Sequence, residues 1–149
     1  IMTDNSEFMA SMLARGQAAL ASQPFSALIG TRLSKWSTDE VELELEISDK
    51  IRQQHGFVHG GVVAYMADNA LTFAGAAKLS GTAIVTGEIK INYIRPAVGE
   101  KLIARATAIS GGSNQSVARC EVYCVIDGVE KLCAAAQGTI NKLPERGGK

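Results

Sequence analysis

The clearest pattern in the chain is EVELELEI, from Glu40 to Ile47, where Glu40, Glu42, Glu44 and Glu46 alternate with Val41, Leu43, Leu45 and Ile47. Strict period two predicts a strand with one buried and one wet face, the habit of antiparallel sheets. The period changes at HGGVVAYMADNALTFAGAAKL, from His59 to Leu79. Between Val62 and Ala77 only Asp68, Asn69 and Thr72 interrupt a run of apolar residues, Ala and Gly. A helix that is apolar nearly all round is a buried one, and Ser80-Gly81 is the expected stop. Upstream, residues 6–22 open on a capping-type Ser6 and space Phe8, Met9, Met12, Leu13 and Leu20 for one helical face, with a weak point at Gly16 and an end at Pro24.

Five further segments read as strands: 28–36, 83–96, 100–110, 115–127 and 130–141. Val98-Gly99, Gly111-Gly112 and Asp127-Gly128 separate the last four, and the Asp-Gly pair is a strong hairpin signal. Residues 48–58 read as a polar loop, and the end of the chain, 143–149, as a frayed tail. Helix, two strands, one long apolar helix and four strands make an α+β order. A curved antiparallel sheet wrapped around the central helix would give that helix its cover. A single domain over residues 1–149 is expected.

Charge removes several function classes. Fifteen acidic and fifteen basic residues balance, so no nucleic-acid footprint or anionic-membrane partner is expected. No apolar run reaches the roughly 18 residues of a membrane span, and the N-terminal stretch lacks the basic-then-apolar order of a signal peptide. Cys120, Cys124 and Cys133 are too few and too far from His55 and His59 for a zinc site. Buried, reduced thiols and a cytoplasmic location are the expectation.

The candidate chemistry centres on Asp68. Burying a carboxylate is costly unless it is paired, hydrogen-bonded or used, and this one stands nine residues after His59-Gly60-Gly61. A helix start offers free N–H groups and a positive dipole end, and the glycines let a ligand approach that backbone. The alternative is a structural acid bonded to a facing strand.

HGFVHGG at 55–61, Asp68 within YMADNA, and INYIRPAVGEKLIARA at 91–106 together resemble the hot-dog thioesterases, in the PaaI-like branch of phenylacetate-degradation enzymes. The likeness extends over roughly residues 28 to 142. It implies the hot-dog fold and hydrolysis of an aryl-acyl or medium-chain acyl-CoA thioester, coenzyme A being part of the substrate and no cofactor or metal being required. It also implies a homodimer joined sheet edge to sheet edge, pairing further into a dimer of dimers, with active sites at the subunit interface. Carried onto this chain, Asp68 matches the nucleophile or general base and Gly60 the helix-start amide that polarises the carbonyl. His59 matches the residue that shapes the loop, Gln53 (or its neighbour Gln54) a side chain near the reacting centre, and Thr86 a hydroxyl that places water. Gly61, Asn69, Tyr65, Phe57 and Arg95 are expected to contact substrate.

At 1.5 Å per residue, Asp68 lies about 10–13 Å along the helix from Gly60. Within one subunit that is too far for both to hold one carbonyl, in keeping with a site completed by a second copy. The hairpin SGGSNQS, 110–116, lacks the basic residue that many relatives place against coenzyme A phosphates, leaving Lys90, Arg95, Lys101 and Arg105 as candidates. A non-catalytic acyl-CoA-binding module and a thioesterase acting on acyl carrier protein stay open. A dehydratase would need a different histidine–acid motif.

Overall fold

The alternating glutamate segment forms strand β2, Val41–Glu46, with Val41, Leu43 and Leu45 almost wholly withdrawn from solvent. The computed structural model describes residues 2–79 and 83–144, so the expected stop at Ser80-Gly81 and the last residues of the tail lie outside it. β2 pairs antiparallel with β1, Arg32–Trp36, and with β4, Lys101–Gly111. β5, Gln115–Ile126, and β6, Val129–Lys142, continue the sheet, and β3, Ile84–Tyr93, closes it against β6. The order β1-β2-β4-β5-β6-β3 leaves β1 and β3 as edges. Asp127 and Gly128 turn the β5–β6 hairpin at positive φ, as a two-residue type I′ connection requires.

Helix α1 spans Met2–Ala21, and the central helix α3 spans Gly60–Ala76. The segment between α1 and β1 departs from expectation. Residues 24–29 form a short helix, α2 (Pro24–Ile29), so the strand begins at Arg32 rather than at residue 28. Pro24 is a start, not a stop: at the first turn its missing N–H costs nothing. Gly30, at φ +82, then ends α2 in the left-handed conformation.

α3 lies on the sheet through Met66, Ala67, Ala70 and Leu71, all fully excluded from solvent. Contact is close: a Cβ on Gly75 would come within 2.6 Å of Ile140, and one on Gly138 within 3.1 Å of Leu71. The sheet does not cover α3 on all sides, however. Ala64, Tyr65, Asp68, Thr72 and Ala76 form a half-buried stripe at helical spacing, starting from exposed Gly61. The outer face of β2 is also more than a solvated row. Glu42 pairs with Arg105 at 2.7 Å, Glu44 with Arg32 and Lys101, Glu46 with Arg32, and Glu40 with Lys35.

Cys120, Cys124 and Cys133 are free and buried. Burial pushes the Cys120 and Cys133 thiols up to about 12, far from thiolate chemistry at neutral pH. Among the described residues no group of three or more His, Cys, Asp or Glu has metal-site geometry, and no helix is long and apolar enough to cross a membrane.

Candidate active site

Two small hydrogen-bonded assemblies tie α3 to the edge strand β3. In the first, Thr86 Oγ1 donates to Asp68 Oδ1 at 2.7 Å, and Thr72 Oγ1 donates to the Asp68 carbonyl at 2.9 Å. The two hydroxyls lie 3.1 Å apart. Each has a single proton and both are committed to Asp68, so the contact between them is packing rather than a third donor bond. Among the described residues Asp68 Oδ2 has no hydrogen-bond partner, and the carboxylate is half-buried.

Thr86 reaches Asp68 because β3 is bulged. The pairing with β6 slips between Thr86 and Glu88, and inward positions switch from Ile84 and Thr86 to Ile89 and Ile91. Gly87 occupies the slip, where a Cβ would come 2.2 Å from Asn141 Nδ2. Bulges re-aim side chains beside functional sites. Gly87 and Thr72 are the two residues of this assembly that sequence reasoning passed over. A glycine inside a strand pattern was the available signal for the first; nothing in the sequence pointed Thr72 at Thr86.

The second assembly forms the start of α3. The His59 ring accepts the Gly61 N–H through Nδ1 at 2.9 Å, capping the helix. The neutral ring therefore carries its proton on Nε2. Val62 and Val63 donate to the His59 carbonyl, and the Tyr93 hydroxyl donates to the Gly60 carbonyl at 3.0 Å. Among the described residues the Gly60 N–H has no acceptor. It stands free at the positive end of a 17-residue helix, where an oxyanion would be stabilised. The preceding loop is fastened to hold it there. His59 N–H donates to the Ile51 carbonyl, Val58 N–H to the Ala97 carbonyl, and Arg52 to the Gly56 carbonyl at 2.7 Å.

A cleft of about 350 Å3 opens beside this helix start, lined by Gln53, Phe57, Gly60, Tyr93 and Arg95 among others. Gln53 is half-buried and its Oε1 accepts from the His55 N–H, whereas Gln54 is exposed and outside the cleft. Arg95 forms no ion pair among the described residues. Of the other basic candidates, Arg105 and Lys101 are bound to glutamates and Lys90 donates to Asn92.

Tyr65 and Asn69 sit elsewhere. Asn69 Nδ2 donates to Gln23 Oε1 and to the Tyr65 hydroxyl, each at 3.0 Å, and Ser26 Oγ lies 2.5 Å from that hydroxyl. These polar atoms fasten α2 and the α1–α2 junction onto α3. Asn69 also lines a second cavity, of about 590 Å3, together with Thr72.

The two assemblies do not meet within one chain. Acid and free amide stand eight residues apart on one helix, each bonded to a different part of β3.

Comparison with known proteins identifies the family. The thioesterase superfamily model matches residues 55–131, from the loop before the free amide to the start of β6 and more than half of the chain. A thioesterase family protein of Silicibacter pomeroyi is 30% identical, with a TM-score of 0.82 over 89% of this chain and 98% of its own. A variant of the phenylacetic acid degradation protein PaaI from Thermus thermophilus is 26% identical, with a TM-score of 0.70 over 81% of this chain and all of its own. A Listeria monocytogenes 1,4-dihydroxy-2-naphthoyl-CoA hydrolase is 28% identical over 75% of this chain and 89% of its length. The chain belongs to the thioesterase superfamily and is a PaaI-like thioester hydrolase with the hot-dog fold.

Proposed function

We propose that the protein hydrolyses an aryl-acyl or medium-chain acyl-CoA thioester at a site shared by two copies, with Asp68 from one and the Gly60 amide from the other. The observation that carries this reading is the placement of both halves on one unpaired edge strand. Thr86 holds the acid near one end of β3, and Tyr93 holds the helix start near the other. A long edge strand is a template for pairing with a second chain. If β3 pairs antiparallel with its copy across a two-fold axis between Ile89 and Lys90, Thr86 falls opposite the copy's Tyr93. Asp68 then faces the second chain's free Gly60 N–H. Exposed Val85 and Tyr93 would be covered by the same contact. Further pairing gives a dimer of dimers.

In this arrangement the thioester oxygen sits at the Gly60 N–H, whose aimed dipole stabilises the tetrahedral oxyanion by about 3 kcal/mol. Asp68 takes a proton from water as the water oxygen bonds to the carbonyl carbon. The C–S bond then breaks, and the proton passes to the departing sulfur. Attack by Asp68 itself, through an anhydride that water opens, uses the same groups. Arg95, unpaired beside the helix start, suits a phosphate of coenzyme A. No metal or cofactor enters the scheme. The naphthoyl-CoA hydrolase among the relatives supports an aryl-acyl substrate.

Free-thiol release from aryl and aliphatic acyl-CoA esters tests the reading, with Asp68→Asn run alongside. Turnover that falls about two to four decades in the variant supports it. Equal activity in both proteins makes Asp68 structural. Binding without turnover in either points to an acyl-CoA-binding module.

A further inference from the structure

We propose that the cavity of about 590 Å3 beneath α1 is the acyl pocket, taking a large acyl group whose size is limited by Phe8 and Met12. The inference rests on the hydrolytic reading above and deepens it.

The cavity adjoins the acid through one side chain. Thr72 lines it, and the same Thr72 hydroxyl donates to the Asp68 carbonyl and touches Thr86, which holds the Asp68 carboxylate. Thr72 and Ala76 succeed Asp68 at intervals of four, so the half-buried stripe of α3 runs from the acid straight along the cavity wall. An acyl group whose carbonyl carbon lies at Asp68 has this cavity ahead of it, where Phe8, Met12, Trp36, Phe73, Leu79 and Ile84 supply apolar surface and Arg15, Gln23, Thr38 and Asn69 supply polar groups. Trp36 and Ile84 close the sides, and Phe8 and Met12 lie across the top. The volume falls within the roughly 300–1,000 Å3 of small-molecule pockets and far exceeds what an acetyl group fills.

The C-terminal half of the roof is fastened to the sheet and to α3. Gly16 lets α1 close on β1, since a Cβ there would come 2.4 Å from the Trp36 ring. Gln17 Nε2 donates to the Leu33 carbonyl at 3.1 Å, and Leu20 is buried. Beyond α1, Gln23 and Ser26 bind Tyr65 and Asn69 of α3. Among the described residues nearer the N-terminus, Met12 is buried, while Phe8 remains 55% exposed where it lines the cavity. An apolar overhang of this kind gains cover when the space beneath it is filled.

The chain has a single tryptophan, Trp36, and it lines this cavity. Titrating the protein with free carboxylic acids, the products of hydrolysis, is therefore read in its fluorescence. Decanoate and phenylacetate should change the signal saturably and acetate should not. In parallel, kcat/KM is measured for acetyl-, hexanoyl-, decanoyl- and phenylacetyl-CoA. Ala76→Leu, which fills the cavity from α3, should lower the decanoyl-to-acetyl ratio about tenfold or more. Phe8→Ala, at an exposed position that leaves folding intact, should shift the ratio in the opposite direction. Hydrolysis with unchanged ratios in both variants and a silent Trp36 overturns the pocket while sparing the hydrolytic reading. No thiol release from any ester, with Trp36 still responding to decanoate, overturns the hydrolytic reading instead.

Discussion

On the side of α3 turned to the sheet, Met66, Ala67, Ala70 and Leu71 are withdrawn from solvent and meet strands so closely that Gly75 leaves no room for a methyl group. On the other side, Asp68 and Thr72 are half-buried: the Asp68 carboxylate accepts from Thr86 of β3, the Thr72 hydroxyl donates to the Asp68 carbonyl, and Thr72 borders open space. One helix thus does two jobs with different physics. The sheet side supplies cohesion through apolar area and close packing. The open side holds a charged group that contributes little to that cohesion and that the proposed chemistry would use. If this division is right, substitutions on one side should lower stability and spare turnover, and those on the other should do the reverse.

The largest expected effect is on the open side. Asp68→Asn keeps the shape and the bond from Thr86, so the urea midpoint should stay near that of the wild type while kcat falls about two to four decades. Leu71→Ala is its mirror. A fully buried leucine over Gly138 should cost about 2–5 kcal/mol in unfolding free energy, with kcat per folded molecule retained. If Asp68→Asn proved the less stable and Leu71→Ala the less active, the two sides of the helix would not be separable.

Thr86→Val removes the donor to Asp68 Oδ1 and keeps a branched strand residue of similar shape. Hydrogen bonds to charged groups are worth about 1.5–3 kcal/mol, so kcat should fall about tenfold or more, with little change in melting temperature. An unchanged kcat would make the Thr86 bond incidental to the acid's position. Gly75→Ala returns to the sheet side and sets two rules against each other. Helix propensity alone favours alanine by about 1 kcal/mol, but the added methyl would meet Ile140 at 2.6 Å and overpacking costs about 1–3 kcal/mol. The wall opposite is a buried β-branched side chain with nowhere to move, so net destabilisation is expected. A stabilised variant would show that the helix can shift on the sheet.

The sheet side of this comparison was legible in the sequence, because periodicity reports burial directly. EVELELEI gave β2 within one residue at each end, and the apolar run beginning at His59-Gly60-Gly61 gave α3. The acid and the glycine start were legible too, since a lone carboxylate and paired glycines violate the surrounding pattern. Contacts closed by the fold were less accessible. Thr86 could be placed only through the family likeness, and its bond to Asp68 depends on a bulge at Gly87. The α2 helix was misread because six residues carry too little period and Pro24 serves equally as a stop or a first-turn residue. Tyr65 and Asn69 were expected to contact substrate, and Asn69 does line the larger cavity. Only the return of α2 onto α3 shows that Ser26 and Gln23 occupy their polar atoms.

The outer face of the sheet offers the smallest effect and the cleanest control, because it lies across the core from Asp68. Arg105 binds Glu130 through two short contacts and Glu42 through a third. Burial by itself would raise the Glu42 carboxyl, but the hydrogen bonds from Arg105 and Ser34 outweigh it and hold the group below its ordinary 4.5. The Arg105 bond lowers Glu130 likewise. A carboxylate whose folded value is depressed adds stability that is fully present above its unfolded value and disappears as pH falls through the folded one. Part of the acid sensitivity of the fold, at pH 4.5 and below, should therefore come from this cluster. Arg105→Gln returns both carboxylates toward the ordinary value and should flatten the fall in unfolding free energy over that window. At neutral pH the loss should stay within about 1 kcal/mol, because the groups are partly exposed and screened. Urea midpoints for the two proteins between pH 7 and pH 3 measure the difference, with thiol release followed at neutral pH. Parallel curves would mean the cluster does not govern acid stability. A fall in kcat would mean that the outer face of the sheet reaches the site through the core.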